Sequence, residues 1–510
     1  MTLQDVLAAF LFAIAIWCTS YIRKQHRLPP GPNKINLFRT RFKAPQVSAE
    51  NPLWKQYAEL SKLYGPVVYL GLGKAPFIVI NSAKSAVDLL NKRSRIYSDR
   101  QMTVMNSELT HRGQTVFLCS TSNPRLVQYQ KMFREEMGVN SVHKHCKTQE
   151  QEAKSFLRNT LNDPQYYVQH LKTVAGSIIM KVTYGYTVEP HNDPMIQLVR
   201  DWLATISLKA LPGYWLVDSY PILKYVPPWF PGTEFHQWAS EQNTLLEKMI
   251  STPFEWTRRQ MQHTDPTTIN SFVASRLLAK PDGSNDAYDD VIRYGAAAMY
   301  VGGVDTAVSV LEAFILAMVL HPEVQRRAQE EIDQIVGPSR LPEIKDRPNM
   351  PYLNAVLTEV MRWSPIAPLG NTHRLTEDDV YDGMFIPAGT CIIPNIAAML
   401  HDENRYPEPK KFNPERFLAS DEKEPQDDPR IFIYGFGRRI CPGRHFAESS
   451  SFALASGLLA TFNILKAVDG EGNEITPLVE YENSFVSHPK TFPCRFVPKS
   501  EAAAQLLTDS

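Results

Sequence analysis

Apolar positions recur at the three- and four-residue spacing of a buried helix face over four long stretches, Asp290 to Leu320, His321 to Val336, Met350 to Trp363 and Arg444 to Phe462. The helical patterns lengthen toward the C-terminus. Short β-type runs, Val67 to Leu70, Phe77 to Ile80 and Cys391 to Pro394, are bounded by Gly, Pro and Asn. The pattern predicts a mainly α fold with a small β region. From Val6 to Ile22 the chain is uncharged and rich in Leu, Ala, Ile and Phe, and Arg23, Lys24 and Arg27 follow. This 17-residue run is at the short end for a membrane span. Its basic residues come after the apolar stretch, which argues against a cleaved signal and for an anchor with a cytosolic body. Leu28-Pro-Pro-Gly-Pro32 is then a stiff, non-helical breaker.

The expected organisation is an anchor and basic flank over 1–28, a proline hinge over 29–32, one large domain over 33–498 and a tail over 499–510. No Gly/Ser linker, low-complexity tract or repeat divides the 510 residues. Lys+Arg and Asp+Glu are equal at 54 each, so no global field points to nucleic acid. The six cysteines are scattered, with no Cys-x-x-Cys or zinc-like spacing, which favours reduced, cytosol-facing chemistry. Between Leu211 and Gly232, Tyr214, Trp215, Tyr220, Tyr225, Trp229 and Phe230 lie among prolines and glycines. Aromatics of this kind suit a membrane–water interface.

One cysteine stands apart. Tyr434-Gly-Phe-Gly-Arg-Arg-Ile-Cys441-Pro-Gly443 sets it in a glycine-rich, doubly basic loop that runs into an apolar helical pattern. Pro442 suits the first position of a helix, so the Cys441 sulfur is expected at a helix N-terminus, where the dipole and unpaired N–H groups depress a thiol pKa. A thiolate held there can ligate a metal from one side. Upstream, Ala298-Met-Tyr-Val-Gly-Gly-Val-Asp305-Thr306 places two glycines, an acid and an alcohol inside a long apolar helix. Paired glycines loosen a helix ladder and invite a kink. Glu359-x-x-Arg362 puts a carboxylate and a guanidinium on one helical face.

The Cys441 stretch resembles the haem-ligand loop of the cytochrome P450 family, Phe-x-x-Gly-x-Arg-x-Cys-x-Gly, with Tyr434 in place of the first Phe. The resemblance covers residues 30 to 498 and implies the family's helical prism with a minor sheet. It implies haem b, with Cys441 the axial ligand whose electron donation favours O–O cleavage. Gly437 and Gly443 would let the backbone pass close to porphyrin and sulfur, and Arg439 would reach a propionate. The Gly302 to Thr306 stretch resembles the oxygen-activation groove, in which Thr306 hydrogen-bonds bound oxygen and Asp305 helps deliver protons. Glu359, Arg362 and Arg416, the last from Pro414-Glu-Arg-Phe417, resemble the Glu-Arg-Arg network behind the haem, a structural lock. His373, with Arg374 beside it, falls at the usual propionate-binding position. In the early helix, Leu126 and Gln130 replace the family's Trp and Arg clamp. Lys131 or His111-Arg112 would substitute, or the haem would be held less tightly on that side.

Resemblance therefore implies a monooxygenase of fungal microsomal type, anchored in the endoplasmic reticulum membrane, that inserts one atom of O2 into an apolar small molecule such as a terpenoid or other secondary metabolite. No flavin or nicotinamide fingerprint is visible, so NADPH electrons are expected through NADPH-cytochrome P450 reductase, with cytochrome b5 a second donor. Arg438, Arg439, Arg444 and His445 are expected to form a basic patch for an acidic reductase surface. Two rivals share these motifs. A reductase-independent haem-thiolate isomerase or peroxygenase would not need Asp305 and Thr306, and a non-catalytic haem-binding protein is favoured only by the missing clamp.

Overall fold

The computed structural model describes residues 28–32, 51–72, 75–189, 192–205, 214–265, 269–280, 286–420 and 424–508. The apolar run 6–22 expected as an anchor lies outside them. The four long helices form where periodicity expects them, as Asp286–Leu320, Pro322–Val336, Pro351–Trp363 and Arg444–Thr461. Pro322 and Pro351 each occupy the first turn, where a missing N–H costs nothing. The chain is mostly helical with small sheets.

Two compact units are built from the chain. The first takes the described parts of Met1–Gln101 with Leu369–Met399 and Phe436–Arg439. Its sheet has the order β1-β2-β4-β3, with β1 Val67–Leu72, β2 Ala75–Ile80, β3 His373–Arg374 and β4 Cys391–Pro394. β1 and β2 pair antiparallel, β2 and β4 parallel, and His373 of β3 sits opposite Ile392. Tyr57, Val68, Leu70, Phe77, Val79 and Cys391 form its core. The proline hinge is seated on this sheet. The Tyr69 amide donates to the Pro30 carbonyl (2.9 Å), and a Cβ on Gly31 would stand 1.8 Å from the Tyr69 oxygen.

The second unit takes Met102–Pro368, Leu400–Gly435 and Ile440–Ser510, as far as they are described. Asp286–Leu320 is its central helix and packs against Tyr167–Tyr184. Length and composition would let this helix cross a membrane, yet most of it is buried in the protein. Phe314, Ile315 and Leu316 are fully buried, each contributing roughly 1.5–3 kcal/mol relative to exposure. Residues 499–510, expected as a tail, carry the helix Glu501–Thr508, with Leu507 buried and its carbonyl bonded by Arg158 Nε (2.9 Å).

Candidate active site

Asp305 and Thr306 lie within a helix that stays continuous through Gly302 and Gly303. Thr306 Oγ1 donates to the Gly302 carbonyl one turn back (2.7 Å), a side-chain bond of the kind that bends a helix slightly. Of the two glycines, only Gly303 is set by packing. A Cβ at 303 would press on Ile179 at 3.0 Å, and one at 302 would meet the Phe117 ring at 3.7 Å. The Asp305 side chain remains 39% exposed, and His488 Nε2 stands 3.2 Å from its Oδ1. The other His488 nitrogen, Nδ1, is 2.8 Å from Glu312 Oε2. No motif in the sequence marks His488, since it lies 183 positions from Asp305 and only folding joins them.

Cys441 belongs to the same unit. Its amide donates to the Tyr434 carbonyl (2.7 Å), and the Tyr434 hydroxyl reaches Met361 Sδ (3.6 Å). The helix begins at Arg444 with Gly443 as its N-cap, so Pro442 lies in the turn before it and not at its first position. The expected depression of the thiol is corrected accordingly. Burial pushes the Cys441 thiol up, opposed by the Gly443 amide and by Arg444. The side chain is half-buried.

In the first unit the loop turns through Gly437, at φ +52, where a Cβ would lie 2.3 Å from the Leu90 carbonyl oxygen and 2.6 Å from Ser94 Cβ. Its amide donates to Asn91 Oδ1 (2.7 Å). This glycine therefore answers to its own unit's packing. Gly443 has an ordinary φ of −86 and room for a Cβ, at 3.8 Å from Met137 Sδ and 4.0 Å from Cys441 Sγ.

Arg439 turns inward, its Nε donating to the Ser98 carbonyl (2.9 Å). It joins His373 and Arg100 in a buried cationic cluster. His373 Nδ1 is 2.8 Å from the Tyr97 carbonyl and carries the proton there. Burial first, then Arg100 and Arg439, hold its imidazole well below the ordinary histidine range. Arg100, which sequence reasoning missed, donates to the carbonyls of Asn371 (3.1 Å) and Thr372 (2.8 Å). Its Nε is buried with no hydrogen-bond partner, and burial and Arg439 both disfavour its charge. The acid nearby, Asp99, also serves Arg374 at 3.4 Å. An unmatched donor beside two guanidinium groups fits an anionic group, and a haem propionate is one.

Glu359, Arg362 and Arg416 are brought together out of water. Arg362 grips both Glu359 oxygens (2.7 and 2.8 Å) and donates to the Leu400 carbonyl (3.0 Å). Arg416 Nε approaches Glu359 at 3.4 Å, and its two terminal nitrogens donate to the carbonyls of Pro407 and Glu408. Only a planar fork can join a carboxylate to several carbonyls in this way.

The basic patch is smaller than expected. Arg439 is committed inward, and burial followed by Arg444 lowers the His445 pKa. Arg438 is exposed and Arg444 half-buried. In the helix Arg125–Met137, Lys131 points to solvent and Leu126 to the core, so Lys131 makes no inward clamp there. Arg112 stacks on Trp202 at 5.6 Å. The five described cysteines are free thiols.

The family model for Cytochrome P450 matches residues 29–495. Cytochrome P450 monooxygenase claR of Ampulloclitocybe clavipes is 38% identical over 490 residues, covering 96% of this chain and 89% of that protein. Cytochrome P450 monooxygenase 208 of Postia placenta is 36% identical, covering 99% and 97%. Cytochrome P450 monooxygenase ple1 of Rhodocybe pseudopiperita is 36% identical, covering 97% and 94%.

Proposed function

The chain belongs to the cytochrome P450 family, and from that premise we propose that it is a Cys441-ligated haem monooxygenase. It would insert one atom of O2 into an apolar small molecule, a terpenoid or other secondary metabolite, with NADPH electrons from a reductase. The observation that carries this reading is one short loop. Arg439 enters the buried cationic cluster, and two residues later the same loop offers the Cys441 sulfur.

When bound, haem supplies the iron at which O2 is reduced and its O–O bond cleaved. The chain's own groups do the rest. Cys441 would be held as thiolate, because a metal cation against the sulfur reverses the preference that burial imposes, and the Gly443 amide spreads its charge. Arg100 and Arg439 would hold the propionates. A propionate beside His373 would favour its imidazolium, which can donate from Nε2. In this reading Thr306 Oγ1 would receive a proton and pass it on, and Asp305 would supply it.

We further assign the uncharged run 6–22 as a single-pass endoplasmic reticulum anchor. Cys441→Ser tests the ligand assignment. It should remove the thiolate signature of the reduced carbon monoxide complex and abolish NADPH-dependent oxygen insertion. A parent-like Soret band in the variant would assign the ligand elsewhere.

A further inference from the structure

Residues 305, 309 and 312 share one face of the helix Asp286–Leu320, being four and three apart. One short segment engages all three. Ser309 Oγ donates to the Ser487 carbonyl (2.7 Å), His488 Nδ1 stands 2.8 Å from Glu312 Oε2 and His488 Nε2 stands 3.2 Å from Asp305 Oδ1. The segment is pinned from behind: the Ser487 amide donates to the Ile366 carbonyl (2.8 Å), and the Glu482 amide to the His488 carbonyl (2.7 Å).

An imidazole with a carboxylate oxygen against each ring nitrogen can offer N–H to both only as a cation. Neutral, it would turn a lone pair toward an anion. Burial opposes the charge, but hydrogen bonds to Asp305 and Glu312 outweigh it and push the His488 imidazole up to about 9. The groups beyond do not neutralise the acids. Tyr167 feels Glu312 but is held protonated, chiefly by burial, while burial pushes the Cys494 thiol up to about 12. Lys490 is taken by Glu480 (2.7 Å).

Building on the monooxygenase reading, we propose that His488 is a positioning residue that aims the Asp305 carboxylate and recharges it with protons, while Glu312 holds its other ring nitrogen from behind. In this step the Nε2–H bond breaks and an O–H bond forms on Asp305. The imidazole keeps its Nδ1–H on Glu312 and is left neutral. Solvent then returns one proton to Nε2, for which the side chain's 15% exposure leaves access. The net movement is one proton from water to Asp305.

The folded value of His488 lies above the usual histidine value, so the cluster's stabilisation is complete below about pH 6.5 and is lost as pH rises through about 9. The full-length holoprotein with NADPH-cytochrome P450 reductase is the material for the test. NADPH oxidation in the parent should fall along that alkaline limb. His488→Gln should lose the limb and run about 10-fold slower at neutral pH, a modest loss for removing a proton carrier. His488→Lys should move the limb up by about one unit, as the ordinary lysine value near 10.4 dictates. Glu312→Gln should move it down. One limb midpoint shared by parent and His488→Lys overturns the proposal. Thermal unfolding supplies a readout that needs no turnover: the deficit of His488→Gln should be wide near pH 6 and closed by about pH 10. A deficit independent of pH also overturns it. Failure of the monooxygenase reading itself would show separately, as loss of the thiolate carbon monoxide band in the parent.

Discussion

At the scale of single residues, two glycines, four positions before Cys441 and two after it, look alike in the sequence and differ in the structure. Gly437 adopts a left-handed φ with the Leu90 carbonyl oxygen against it, whereas Gly443 is an ordinary N-cap with space for a methyl group. Gly437→Ala should therefore destabilise by about 2 kcal/mol or more, from the left-handed conformation and the close backbone contact together. Gly443→Ala should cost no more than about 1 kcal/mol, since alanine is the poorer N-cap but meets no close contact there. Thermal unfolding of the two variants checks this. Equal losses would mean that Gly437 answers to something other than the packing of Leu90 and Ser94.

At the scale of elements, the helix Pro351–Trp363 is held at both ends by carboxylates. Glu331 accepts from the amides of Tyr352 (2.8 Å) and Leu353 (2.9 Å) at its start, where a helix dipole favours negative charge. Glu359 near its end takes Arg362, Arg416 and the Asn413 amide (2.8 Å). With Glu359 and Arg362 both at 0% exposure, neutralising the acid strands a buried guanidinium. Glu359→Gln should cost about 3–5 kcal/mol and lower the yield of haem-loaded protein. A loss under about 1 kcal/mol in denaturant unfolding would show that the carbonyls of Leu400, Pro407 and Glu408 alone satisfy the arginines.

At the scale of the whole molecule, the contacts of residues 30 and 31 limit where the N-terminal stretch can be cut. Pro30 and Gly31 are part of the packing of β1, so a truncation has to stop before them. Removing residues 1–28 should leave haem binding and thermal stability near the parent values while weakening membrane association. Residual attachment should remain, because Ile222, Tyr225 and Trp229 stand exposed on the second unit, Trp229 at 80%. Large aromatics at a wet surface favour a membrane interface. Carbonate extraction of the truncated protein, alone and with Trp229→Ser, checks both parts. Unchanged resistance after truncation would remove 6–22 as the main anchor.

Periodicity was enough for the four long helices, for three strands and for the mainly α character, because burial of one helix face writes its spacing directly into the chain. The Glu359–Arg362 pair is legible for a related reason, since the two residues lie within one turn of each other. Other features were not local. Pro442 was read as the start of a helix that begins at Arg444, because a proline after a tight turn satisfies the same φ as a proline inside a first turn. The thiol was expected to be depressed by a dipole, but desolvation depends on everything packed around it and outweighs a helix start. Arg100 carries no motif and becomes a candidate ligand only because folding buries its Nε beside Arg439 and His373. The bridge from Asp305 through His488 to Glu312 likewise joins an internal helix to a segment near the C-terminus. Chain spacing encodes which residues share a face of one element. Which charges meet across elements, and how much water each retains, is decided by tertiary packing.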